Sequence, residues 1–202
     1  MSLEQEIKLS VSGAPLDLYA LDWLQDKVTS RKTQSLRTDY FDTPHFTLRE
    51  MRIALRLRKV EGQWLQTVKN AGQVKDGLHQ REEWDQPLLS GEFDKALLRQ
   101  TPLASIVDDS GQWNQLQCIF STEFTRETWD LDIDGTHIEL AYDQGRVKTA
   151  DAETPIHEIE LELRHGDLEV LKRFAREIKQ HLPLQDNPVN KAQLGYELLK
   201  TD

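Results

Sequence analysis

Cysteine is almost missing from this chain of 202 residues, and its one thiol, Cys118, can form neither an intrachain disulfide nor a thiolate metal centre. It reads as a small core residue. No apolar run approaches the roughly 20 residues that a membrane helix needs, and no basic-then-apolar leader is present. Neither insertion nor export is expected, and a cytoplasmic protein is. Positive charge is also in deficit, with 25 Lys and Arg against 35 Asp and Glu and a formal charge of −10. The resulting field repels nucleic acid and anionic membrane alike, which argues against both as partners. Repeats, low-complexity tracts and linkers are absent as well, so 1–202 reads as a single domain, a monomer or homodimer.

The cations that are present are unevenly placed. Between 49 and 81 the chain carries Arg49, Arg52, Arg56, Arg58, Lys59, Lys69, Lys75 and Arg81 against Glu50, Glu61 and Asp76. Such a stretch inside an acidic protein points to cations held away from bulk solvent.

Alternation of polar and apolar residues, the period of a strand, runs through most of the sequence. It predicts strands over 4–11, 34–41, 51–60, 63–70, 78–84, 119–130, 136–143 and 155–163. Turns are expected at Gly13, Asp42-Thr43-Pro44, Gly62, Ala71-Gly72 and Gly145. Helical spacing marks a helix after Pro15 (Leu16, Tyr19, Ala20, Trp23, Leu24), one over 91–109, an amphipathic one through Leu168, Leu171, Phe174, Ala175 and Ile178, and a last one over 191–199. These elements predict an α+β fold: a closed eight-stranded antiparallel β-barrel with helices packed outside.

Any one of these strands fits an ordinary sheet that packs its apolar face and wets the other. Two features together argue otherwise. The helices need an apolar surface, which the outer faces of a barrel provide. The opposite strand faces are blocks of specialised type rather than a mixed solvated surface: E-x-E-x-K, R-x-R, R-x-E and E-x-E-x-E. Turned into a lumen, such charges are tolerable only when paired, hydrated or neutralised by ions. Arg and Lys supply donors for phosphate oxygens, and hard carboxylate oxygens suit Mg2+ or Mn2+. Cations and metal around one phosphate chain make a polyphosphate site. His79, His157 and His165 lack metal spacing or a nucleophile beside them and read as surface or packing residues. The scattered Trp23, Trp64, Trp84, Trp113 and Trp129 read as core and rim packing.

Glu4-Gln5-Glu6-Ile7-Lys8 resembles the E-x-E-x-K signature of the CYTH superfamily, the triphosphate tunnel metalloenzymes. It is followed in order by Leu55-Arg56-Leu57-Arg58, Thr67-Val68-Lys69, His79-Gln80-Arg81-Glu82-Glu83, Arg126, Glu139 with Asp143, Lys148, Glu158-Ile159-Glu160-Leu161-Glu162, and Lys191. The chain is most similar to the CYTH domain of bacterial inorganic triphosphatases of the CYTH-CHAD type. The resemblance implies either a stand-alone CYTH domain or the first part of a longer CYTH-CHAD protein. It implies that Glu4 and Glu6 with Glu160 hold a metal, Mg2+ or Mn2+, and that Glu158 binds metal or orients water. Lys8, Arg56, Arg58, Lys69, Arg81, Arg126 and Lys191 would bind phosphate oxygens, with Glu158, Glu160 and Lys8 closest to the chemistry. Glu83, Glu139 and Asp143 either complete a second metal site or neutralise neighbouring Arg. Glu162 joins the metal set as a second-rank ligand, and Lys148 is either a phosphate ligand or an ion-pair partner.

The activity so implied is metal-dependent hydrolysis of tripolyphosphate to pyrophosphate and phosphate, mostly by positioning and electrostatics. Class IV adenylyl cyclase and thiamine triphosphatase share the motifs that read the phosphates. The stretches Gly77-Leu78-His79-Gln80-Arg81 and Phe120-Ser121-Thr122-Glu123-Phe124 resemble the triphosphatase branch. A non-catalytic polyphosphate-binding barrel would need the cations but not Glu4, Glu6, Glu158 and Glu160, which repel a polyanion unless metal intervenes.

Overall fold

The alternation closes on itself. The computed structural model describes residues 1–75 and 77–199. Its strands are β1 (Ser2–Val11), β2 (Val28–Asp42), β3 (Ile53–Val60), β4 (Gln63–Asn70), β5 (Gln73–Lys75), β6 (Leu78–Leu88), β7 (Gln117–Ile133), β8 (Thr136–Lys148), β9 (Glu153–His165) and β10 (Leu184–Asp186). They join antiparallel in the order β10-β1-β9-β8-β7-β2-β3-β4-β6-β5, and β1 also pairs with β6. That last pairing shuts an eight-stranded antiparallel barrel, with β5 and β10 as short flaps on its seam strands. β1 makes the closure by dividing its length, residues 2–7 running beside β6 and residues 6–10 beside β9.

The apolar alternates face outward and are covered there. On one side Ile7, Leu9, Trp129, Leu131, Ile138, Leu140, Ile159 and Leu161 pack under α6 (Leu168–His181) through its Val170, Leu171, Phe174, Ala175 and Ile178. Each such side chain, fully buried, stabilises by roughly 1.5–3 kcal/mol. Asp167 caps α6 at the Glu169 amide (2.8 Å), and Lys179 and His181 lie at its negative end. On the other side Ile53, Leu55 and Val68 pack under α2 (Thr47–Glu50), α3 (Lys95–Leu98) and α4 (Ala104–Asp108). A third cluster uses inward alternates, Leu36, Tyr40, Phe120, Phe124, Val147 and Ile156, against Tyr196 of α7 (Lys191–Leu198). The lumen is therefore plugged by apolar side chains at one end.

Several expectations are corrected. The helix after Pro15 is only a 3-10 turn (Leu18–Ala20) and a single turn, α1 (Asp22–Gln25). The Asp17 carboxylate there captures the Tyr19 and Ala20 amides at 3.1 and 3.3 Å. The helix over 91–109 breaks at Pro102, which lacks an N–H, into α3 and α4, and α5 (Ser110–Trp113) follows unanticipated. Gly145 is no turn. β8 runs through it, and a Cβ there would meet the Glu123 carbonyl oxygen at 2.1 Å and the Phe124 Cα at 2.5 Å. Cys118 is exposed rather than in the core. β2 starts at Val28, earlier than expected, because its exposed polar half pairs with β7. Among the described residues no helix is long and apolar enough to cross a membrane.

Gly145→Ala is expected to lower stability by about 3 kcal/mol, since the added methyl meets backbone that cannot step aside. A clear fall in the urea midpoint checks this; an unchanged midpoint would show that the two strands can separate freely.

Candidate active site

Parity puts the charged alternates inside, and strand order then sorts them by sign. β1, β9 and β8 are neighbours and carry Glu4, Glu6, Glu158, Glu160, Glu162, Glu139 and Asp143. The strands that complete the barrel, β7, β3, β4 and β6, bring Arg126, Arg56, Arg58, Lys69 and Arg81, with Glu83 and Asp85 beside Arg81 on β6. One side is mainly acidic and the rest mainly basic. Lys8 on β1, Arg164 on β9 and Lys191 on α7 are cations placed on the acidic side.

Charges so confined pair almost completely. Lys8, 2% exposed, lies between Glu160 and Glu6, at 3.4 Å from the latter. Arg81 bridges Glu4 and Glu6 (2.6 Å to Glu6), and Lys69 bridges Glu4 (2.9 Å) and Glu83 (3.0 Å). Arg56 meets Glu83 at 3.0 Å. Arg126 takes Asp143 through two nitrogens at 2.7 and 2.6 Å and reaches Glu160 as well. The Lys191 ammonium sits among Asp143 (2.7 Å), Glu160 (2.9 Å) and Glu158. Those three are the one group of carboxylates, among the described residues, with oxygens within 4.8 Å of one another.

These pairings decide protonation. Burial pushes the Glu4 carboxyl up, but Lys69 and Arg81 outweigh it and hold it well below the usual range. Glu160 is likewise held low by Lys191, Lys8 and Arg126 against the cost of burial. Lys191 and Arg81 are held charged by their carboxylates. Lys69 moves the other way, because burial and then Arg81 and Arg56 disfavour its charge more than Glu4 and Glu83 favour it.

A few groups are left uncompensated. Arg58 has no carboxylate within ion-pair distance among the described residues and donates only to Thr38 Oγ1, at 2.6 Å. Burial, then Arg56 and Arg126, pull its pKa down to about 10. The Nε of Arg56 and the Oγ1 of Thr122 are buried without a partner. All but Thr122 line one cavity of about 620 Å³ that also reaches Tyr40, Glu160, Arg126 and Lys191.

Most of the residues singled out in the sequence meet here: Glu4, Lys8, Arg56, Arg58, Lys69, Arg81, Glu83, Arg126, Glu160, Glu162 and Lys191 all line the cavity. Glu6, Asp143 and Glu158 lie directly behind, paired to lining cations. Glu4 and Glu6 are drawn to Arg81 and Lys69 rather than grouped with Glu160. Glu139 and Glu162 share the half-exposed Arg164 at 2.6 Å each. Lys148 is out of phase with the lumen face, pairs with Glu123 at 2.7 Å and does not line the cavity.

Extending the same parity finds residues the motifs passed over. Asp85 follows Arg81 and Glu83 and binds Thr67; Arg164 follows Glu158, Glu160 and Glu162; Tyr40 follows Thr38. His79 is a lining residue too, its Nε2 at 3.1 Å from the Asn187 carbonyl oxygen. Asn187 has no sequence signal beyond a turn, yet its side chain donates to Glu158 at 3.0 Å and its amide to the Lys8 carbonyl at 2.8 Å.

A closed barrel whose lumen is lined by interleaved carboxylates and cations defines a charged tunnel. The chain matches the CYTH domain family over residues 2–196 and belongs to it. It is 32% identical over 201 residues to an inorganic triphosphatase from Haemophilus influenzae, across 96% of this chain and 55% of that protein. It thus spans about half the length of that relative. Among solved structures, HpAC1 from Hippeastrum, studied as an adenylyl cyclase and described as having a dominant triphosphatase activity, superposes with a TM-score of 0.65 at 19% identity. The two share the fold over 96% of this chain and 95% of the other. A Pyrococcus horikoshii protein shares it over 95% and 98% at a TM-score of 0.52 and 15% identity.

Glu162 provides a pH test. Burial, and then repulsion from Glu4, Glu139 and Glu6, outweighs Arg164 and pushes its carboxyl from 4.5 up to about 8. Between those values the folded protein holds a proton that the unfolded chain has released, so this group's stabilisation is full below the lower value and fades as pH rises through the upper one. From about pH 5 to about pH 8 the melting temperature of the native protein should fall relative to that of Glu162→Gln. Parallel curves would mean that Glu162 is ionised throughout.

Proposed function

We propose that this chain hydrolyses inorganic tripolyphosphate to pyrophosphate and phosphate with the help of Mg2+ or Mn2+. One juxtaposition carries the reading: in a single lumen, Arg58, which has no carboxylate partner among the described residues, and the unpartnered Nε donor of Arg56 accompany the carboxylate group Asp143, Glu158 and Glu160. The donor set fits the ion, being hard oxygen in a buried setting. Asp143, Glu158 and Glu160 would hold it. When bound it supplies positive charge opposite the transferring phosphoryl group and makes water a better nucleophile.

The remaining work belongs to the chain's own residues. Arg56 and Arg58 present donors to phosphate oxygens, and Arg126, Lys69, Arg81 and Lys8 add charge around the same chain. Glu158 is fixed by Asn187 and Lys191, so it can accept from and orient a water rather than wander. Catalysis of this kind is positioning and preorganised electrostatics. The relationship to the Haemophilus influenzae triphosphatase supports the inorganic substrate.

Phosphate release should be measured from tripolyphosphate, ATP and thiamine triphosphate with Mg2+ or Mn2+, together with cyclic AMP formation. Tripolyphosphate is expected to win by about tenfold or more in kcat/KM, and Glu158→Gln to lose about 100-fold in kcat. Cyclic AMP as the main product from ATP would overturn the reading, as would binding without turnover.

Arg58→Met separates binding from folding. Losing a charged donor to phosphate should raise KM about tenfold or more, while removing a poorly compensated cation should stabilise the ligand-free protein by about 1 kcal/mol. Urea unfolding and steady-state kinetics on the same preparation check both, and a destabilised variant would show that Arg58 is compensated after all.

A further inference from the structure

We infer that the basic side of the lumen continues outward into a second anion site, formed by Arg52 and Arg49, which takes the outer phosphates of a linear polyphosphate longer than triphosphate. The inference rests on the proposed function only for which part of that chain enters the lumen. β3 turns Ala54, Arg56 and Arg58 inward, and Arg52 stands immediately before its first residue. The cavity that contains Glu160 and Arg58 is continuous with Arg52 and Arg49 at its mouth. At about 3.3 Å per residue, the start of β3 next to Arg52 is roughly 16 Å from Arg58, a span no triphosphate bridges. Ala54, between them, leaves the passage open.

Both outer guanidiniums are free to take an anion. Neither has a carboxylate within ion-pair distance among the described residues, and Glu197, the acidic residue of α7 at the same mouth, pairs with neither. Nearly every cation deeper in the tunnel is paired. Arg49 is also mounted firmly, its guanidinium lying 5.2 Å over the Tyr196 ring. Tyr196 donates at 2.6 Å to Asp42, and Asp42, fully buried, accepts the Leu48 and Arg49 amides at 2.8 and 3.0 Å.

Arg52 is held against its conformational preference. It follows α2 with φ +60°, the left-handed position at which a helix ordinarily places glycine. An exposed arginine retained there gains nothing in packing or pairing. Observed strain of this kind points to use of the side chain, and a polyanion leaving the tunnel is the ligand its position and charge suit.

The test compares wild type with Arg52→Gly and Arg49→Gln by calorimetric titration of tripolyphosphate and of a medium-length linear polyphosphate, in metal-free buffer at moderate salt. Wild type should bind the longer chain more tightly, and each variant should shrink that margin by about fivefold or more. Arg52→Gly should melt at the same or a higher temperature, since glycine suits φ +60°. A margin absent in wild type, or unchanged in both variants, overturns the rim site whatever the activity proves to be. Loss of triphosphate turnover as an activity, with the length margin intact, would sink the proposed function and leave the rim site standing.

Discussion

A charge turned into a closed barrel has no bulk water to hydrate it, and every other feature of this structure answers that constraint. Lys8, Glu6, Asp143 and Glu158 are almost completely buried, and an unpaired charge in such a place costs several kcal/mol. The answer is an alternating circuit in which Arg81 joins Glu4 to Glu6, Lys8 joins Glu6 to Glu160, and Arg126 and Lys191 join Glu160 to Asp143. The same strand period that sends these charges inward sends Leu, Ile and Val outward. That inverted barrel would expose its apolar faces if α6 on one side and α2 to α4 on the other did not cover them. The outer helices are thus a consequence of the polar lumen.

Where the circuit is incomplete, it is incomplete by sign and by place. Arg58 lacks a carboxylate partner among the described residues and the Nε of Arg56 lacks an acceptor, while Glu162 is crowded by Glu4, Glu139 and Glu6 on the acidic side. A protein selected for stability alone would repack such positions with apolar side chains. An anion beside the arginines and a cation near Glu162 would relieve both defects at once. A polyphosphate with its divalent counter-ion is a ligand of that composition, and its binding would draw on unfavourable electrostatics built into the tunnel.

Much of this was legible in the sequence because parity is a local property. Glu4, Glu6 and Lys8, or Arg56 and Arg58, share a face wherever the strand goes, so the lumen residues could be named before their partners were known. Partners are not local: nothing in the sequence sets Lys191 among Asp143, Glu158 and Glu160, or ties Asn187 to Glu158. For Lys148 motif order left phosphate ligand and ion-pair partner open, and one residue of phase, which sets it beside Glu123, decides the face. Gly145 looked like a turn because a close approach to Glu123 on β7 leaves no trace in its own strand. The apolar plug of Leu36, Phe120, Val147 and Ile156 was hidden for a related reason, since an inward-facing apolar residue has the same appearance as an outward-facing one.

Helix α7 connects the lumen carboxylates to the segment that carries Arg49. Its first residue, Lys191, reaches the three carboxylates in the lumen, and one and a half turns on, Tyr196 seals the apolar plug and binds Asp42 beneath α2. The capping box between Asn190 and Gln193 fixes where the helix begins, and Gly195 lets it rest on the Phe120 ring, where a Cβ would approach to 2.4 Å. Asp42 in turn anchors the amides of Leu48 and Arg49. Lumen and rim therefore hang from one short helix pressed against the barrel end by shape rather than by extensive area. A side chain that lifted α7 by an ångström would loosen Lys191 and Arg49 together, which makes the fit at Gly195 as much a part of the site as the charges themselves.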